Sequence, residues 1–120
     1  MSSDPFNLQR FVEAQSGGVY ERALAELCAG RKRSHWMWFI FPQHRDLGSS
    51  ATAKFYGLSG PDEAAAYLEH PLLGPRWLEC AAAVERHLAT GGTLEQMLGE
   101  VDAMKFRSSL EIMGRSESAD

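Results

Sequence analysis

Residues 36–42, Trp36-Met37-Trp38-Phe39-Ile40-Phe41-Pro42, are apolar without a break. A water-soluble chain has to bury a run of this bulk, so it marks the centre of whatever core forms. Neither the period of two nor that of 3.6 is legible within it, and Pro42 disfavours helix at Phe41. The run is expected to be a short buried turn of helix or an extended segment through the core. It is far shorter than the roughly 18 apolar residues of a membrane span, and no other stretch approaches that length. The N-terminus lacks the basic-then-apolar order of a secretory signal. These features predict a cytoplasmic protein without a membrane segment.

On both sides of this run the pattern is helical. Asp4-Pro5 predicts a helix start, with Asp4 as N-cap and Pro5 at the first helical position. Leu8, Phe11, Val12 and Gln15 then share a face, and Ser16-Gly17-Gly18 ends the element. A second helix is predicted over 19–29, with Val19, Tyr20, Ala23, Leu24, Leu27 and Cys28 on one side and Gly30 as its C-terminal cap. A short helix is expected over 51–56, closed by Gly57. Ser59 is expected to cap a helix that carries Ala64, Ala65, Tyr67 and Leu68 and stops before Pro71. A long helix follows from near Leu72 to about Ala89, and Thr93-x-x-Gln96 forms a capping box for a further turn. The final helix is expected to start at Asp102 or at Ser108, where Ser108-x-x-Glu111 is itself a capping box. No convincing alternating strand is present. The expected fold is all-α, a compact single domain of six or seven short helices over residues 1–113, with a frayed polar tail at 114–120.

A chain of 120 residues suits one such domain. Two cysteines exclude a disulfide scaffold and fit a reducing compartment. The net charge of −4 argues against a general nucleic-acid binder, but it conceals an asymmetry. Residues 1–58 carry a net +2 and residues 59–120 a net −6. Arg31, Lys32, Arg33 and Arg45 cluster around the apolar run with no acid among them.

This basic, aromatic stretch is the first candidate site. Arg31 and Lys32 offer charge to a phosphate, Trp36 or Trp38 a flat face to a ring, and Gln43 an amide to a base edge or hydroxyl. His35 is the candidate general acid/base. The second candidate is Lys105-Phe106-Arg107-Ser108-Ser109, two cations standing before an expected helix start, whose free N–H groups and hydroxyls suit an anion. Structural roles compete with both: the tryptophans as core filling, Ser108 as a cap and the cations as partners of nearby acids. A metal is not expected. His35, His44, His70 and His87 show no ligand spacing, and Cys80 and His87 lie about 10.5 Å apart along one helix. No motif calls for a cofactor. No nucleophile elbow or phosphate-loop glycine pattern occurs.

The strings Asp4-Pro5-Phe6-x-Leu8-x-Arg10-Phe11-Val12-x-Ala14-Gln15 and Gly30-Arg31-Lys32-Arg33-Ser34-His35-Trp36-Met37-Trp38-Phe39-Ile40-Phe41-Pro42-Gln43 resemble the bacterial family called domain of unknown function 1810. The resemblance continues through Ser50, Ala64, Tyr67-Leu68, His70-Pro71-Leu72-Leu73-Gly74 and Lys105-Phe106-Arg107-Ser108-Ser109. It covers roughly residues 4–110. It implies a mainly helical cytoplasmic domain and no established reaction, cofactor or partner. After the paired serines the family pattern leads to expect further helix, whereas here Leu110-Glu111-Ile112-Met113 is followed by a polar tail. The expectation is an exposed apolar strip at Phe106, Leu110 and Met113, covered by a second copy or a protein partner.

Two functions follow as expectations. One is binding of an anionic nucleotide-like ligand, of the NAD or ADP-ribose type, at Arg31, Lys32, Trp36, Trp38, Gln43, Lys105, Arg107 and Ser108, with hydrolysis through His35 as the simplest chemistry. The other is a non-catalytic interaction or regulatory module that uses the acidic half and the C-terminal edge. The first requires residues 31–43 and 105–108 to meet in the fold.

Overall fold

The computed structural model describes residues 4–115, and within them the chain is an all-α single domain. Its helices are α1 (Gln9–Ala14), α2 (Val19–Cys28), α3 (Met37–Ile40), α4 (Ala51–Phe55), α5 (Pro61–Glu69), α6 (Leu73–Ala89), α7 (Leu94–Leu98) and α8 (Glu100–Ile112). A 3₁₀ turn at Arg45–Leu47 precedes α4, and a single parallel bridge joins His44 to Leu58. Helix α6 is the spine, packed between α2 and α5. The short α3 lies against α1, α6 and α8.

The apolar run is the centre of the core, as its bulk requires. Its helical part is the four residues of α3; Phe41, ahead of Pro42, is already extended at φ −124° and ψ 70°. Phe41 meets Phe106 edge-on at 4.8 Å and Trp77 edge-on at 6.3 Å. A helix this short leaves carbonyls unpaired, and the Phe39 carbonyl accepts hydrogen bonds from Gln15 Nε2 at 2.8 Å and the Tyr67 hydroxyl at 3.1 Å. Gln15 and Tyr67, both buried, therefore tie α3 to α1 and α5.

Three expected helix starts fall elsewhere. Helix α1 begins at Gln9, not at Pro5, because Asn7 adopts a left-handed φ of 54° that interrupts any helix. Asp4 still caps, its carboxylate accepting from the amides of Leu8 and Gln9. Ser59 makes no cap for α5. The bond runs the other way, from Ser59 N–H to Glu63 Oε1, while Gly60 occupies the N-cap. At the C-terminal end the Asp102 alternative falls in the first turn of the observed helix, and it is the Ser108 alternative that fails. Helix α8 is continuous from Glu100, so Ser108 and Ser109 lie inside it and start nothing. Ala103, Phe106, Ser109 and Leu110 form one buried face, and burying that face overrides the local capping signal. The Thr93–Gln96 capping box is present with both bonds.

The exposed strip expected at Phe106, Leu110 and Met113 is also corrected. These residues are only 1%, 6% and 6% exposed, because α8 folds back over Phe41 and Trp77. The apolar residues that α8 does expose are Val101 and Met104, on its opposite side. The helix closes on Gly114 at φ 71°, and the Arg115 amide donates back to the Leu110 carbonyl. Most of the expected frayed tail, residues 116–120, lies outside the described residues. No helix among the described residues is long and apolar enough to cross a membrane.

Candidate functional site

The basic stretch leaves α2 through Gly30, whose φ of 79° turns the chain back across the end of that helix. The turn wraps around one carboxylate. Glu26 accepts from the amides of Arg33 at 2.8 Å and Ser34 at 3.0 Å, from the Ser34 hydroxyl at 2.6 Å, and from Trp36 Nε1 at 2.9 Å. Burial alone would raise the pKa of Glu26, but the bonds from Ser34, Arg33 and Trp36 outweigh it and hold the group down to about 2. The donors of this loop therefore already bind an anion, and it belongs to the protein. The sequence gives no sign of this arrangement, because the acid sits a helical turn upstream and meets the loop only after the turn at Gly30.

The two candidate segments do meet. Lys32 is drawn in by its own amide, which donates to the Met97 carbonyl at 2.7 Å. Its Nζ lies 3.0 Å from Asp102 Oδ2, and Lys105 Nζ lies 3.8 Å from Asp102 Oδ1. Each ammonium also faces an indole: Lys32 lies 5.3 Å from the Trp36 ring centre and Lys105 lies 5.6 Å from that of Trp38. One carboxylate thus stands between two lysines, and each lysine is backed by a tryptophan. Trp36 is wholly buried and is a core residue, whereas Trp38 is half-buried on the rim.

The remaining candidates are spread more widely. On a continuous helix Lys105 and Arg107 diverge, and Arg107 pairs with Glu95 at 3.2 Å. Ser108 lines a different groove, with His44, Leu47 and Ile112. Ser109 is buried and its hydroxyl accepts from Trp77 Nε1. The helix-start anion site expected at Ser108 is absent, since those amides belong to the interior of α8. Arg31 and His35 are exposed on the loop, and Gln43 is half-buried. His35 has no hydrogen-bond partner among the described residues, so nothing orients it as a proton-transfer group. Among the described residues no group of three or more His, Cys, Asp or Glu side chains is arranged to hold a metal ion.

A second polar centre was not anticipated. Arg10 donates to the carbonyls of Phe55, Phe6, Asn7 and Gly57 and to Glu63 Oε2, the last at 2.8 Å. Both side chains of this ion pair are nearly inaccessible, at 9% and 4% exposed. Arg10 thereby locks the N-terminal turn to the loop around α4.

Comparison with known proteins gives two matches. A family model described as a protein of unknown function, DUF1810, matches residues 5–120. The crystal structure of the conserved hypothetical protein Rv1873 from Mycobacterium tuberculosis, at 1.38 Å, is similar with 50% identity and a TM-score of 0.88, over 92% of this chain and 77% of that one. No curated protein matches significantly.

Proposed function

Since this chain belongs to the DUF1810 family, whose function is unknown, we propose from the chemistry of the site that it binds an anionic nucleotide-like small molecule, of the NAD or ADP-ribose type, on the face shared by α3 and α8. The observation that carries the reading is the convergence of Lys32 and Lys105 on one carboxylate beside the half-exposed Trp38. Two ammonium groups that reach the same carboxylate can reach the same phosphate. In this reading Asp102 is the resident anion, which a ligand phosphate displaces, and a ring stacks on Trp38. Exposed Arg31, next to Lys32 in the chain, adds positive charge to that segment. His35 acquires an orienting partner only from a bound ligand, so binding precedes any hydrolytic role.

Titration with ADP-ribose, followed by tryptophan fluorescence, tests the proposal. Lys105→Ala is expected to weaken binding at least tenfold and Trp38→Ala to abolish ring-dependent discrimination against ribose phosphates. Unchanged affinity in both variants would remove the site.

A second reading, a protein-interaction module, is favoured by Val101 and Met104, each 67% exposed and one turn apart on α8. Val101→Lys/Met104→Lys would leave ADP-ribose binding intact and abolish capture of a protein partner.

A further inference from the structure

A separate cleft lies on the other side of Arg10. Its volume is about 420 Å³, and its lining includes Phe6, Arg10, Arg45, Lys54, Phe55 and Ser59. That volume is in the range of small-molecule sites, which run from about 300 to 1,000 Å³. Glu63 is the acid in its lining, and Arg10 already neutralises it. Arg45 and Lys54 differ from Lys32, Lys105 and Arg107, which are paired with acids. Neither side chain has a hydrogen bond, ion pair or ring contact among the described residues, so two positive charges face the cleft uncompensated.

The frame that holds them is rigid. The five Arg10 donor contacts fix the floor. Gly57 lies against the Arg45 backbone so closely that a Cβ there would stand 2.3 Å from Arg45 Cα. The Arg45 amide donates to the Leu58 carbonyl at 2.8 Å, and α4, which carries Lys54, is capped by the Ser50 hydroxyl. Phe55, packed edge-on against Tyr56 with ring centres 4.8 Å apart yet 55% exposed, adds apolar surface at the mouth. Asn7, the one non-glycine residue with positive φ among the described residues, forms part of the same lining. Water-exposed phenyl beside two unpaired cations is the complement of a phosphate carried on a ring.

We infer that the Arg10–Arg45–Lys54 cleft is a second binding site, for a phosphomonoester carried on an aromatic or heteroaromatic ring, with Arg45 and Lys54 on the phosphate and Phe55 against the ring. It is independent of the Trp38–Lys105 face.

Amide and indole NMR of the full chain titrated with phenyl phosphate, with phenol and inorganic phosphate as parallel arms, decides it. The expected result is saturable shifts at Asn7, Gly57 and Ser59 with phenyl phosphate, weaker ones with inorganic phosphate and none with phenol. Arg45→Ala/Lys54→Ala, two exposed side chains, is expected to weaken those shifts at least tenfold while the rest of the spectrum stays folded. Absent shifts in the parent, equal shifts with phenol, or unchanged affinity in the double variant would each overturn the inference. The Trp38 indole, read in the same spectra, reports the other face separately.

Discussion

Lys105 holds its ammonium group 5.6 Å from the centre of the Trp38 ring, which joins α8 to the central apolar run. The contact is partly solvent-exposed, so it contributes little to stability, about 0.5–1 kcal/mol. Lys105→Met is therefore expected to shift Trp38 fluorescence without moving the denaturation midpoint appreciably. A loss of several kcal/mol would mean that Lys105 is a structural residue and not a ligand-facing one.

Glu26 has the opposite character. Glu26→Gln removes the charge from its four hydrogen bonds and is expected to cost about 1.5–3 kcal/mol in urea unfolding. The sign of its pH dependence follows from the lowered folded-state pKa. Its stabilisation is complete above the unfolded value of about 4.5, and is lost as pH falls toward the folded value of about 2. The parent should lose stability across that window with a steeper slope than Glu26→Gln. Parallel curves would contradict the assignment.

Gly74 stands in the first turn of α6, where glycine-to-alanine substitution ordinarily stabilises a helix by about 0.5–1 kcal/mol. Here a Cβ would lie 2.0 Å from the Leu68 carbonyl oxygen at the end of α5. Gly74→Ala should lower the melting temperature, and a rise would show that α5 and α6 are not in this contact.

Phe106→Ala is expected to cost about 3–5 kcal/mol, the range for a buried aromatic residue, because its ring packs edge-on against Phe41. A neutral effect would restore the exposed strip that the sequence suggests.

Much of this fold is legible in the sequence where short-range rules decide. The Thr93–Gln96 box, the cap at Gly30 and the core position of Trp36, Met37, Phe39, Ile40 and Phe41 each follow from local chemistry. The misplaced boundaries are positions where a longer-range constraint prevails. Asn7 turns left-handed, with its carbonyl held by Arg10, so α1 starts late. Ser108-x-x-Glu111 is a sound capping signal that loses to the burial of Phe106 and Leu110 on one continuous helix. The candidate site was legible in part. Lys32, Trp38 and Lys105 are named by composition and do converge, but Asp102 appears in the sequence only as one possible helix start. The Glu26 clamp and the Arg10 hub were not legible, because each joins groups that become neighbours only after the chain folds back.

The most direct test of the central claim is the affinity of Asp102→Asn for ADP-ribose, compared with the parent at low and high salt. If Asp102 is the anion that a ligand phosphate displaces, its neutralisation removes a competitor. Binding should then tighten several-fold, and added salt should weaken it. Unchanged or weaker binding in Asp102→Asn, with the fold intact, would contradict the account.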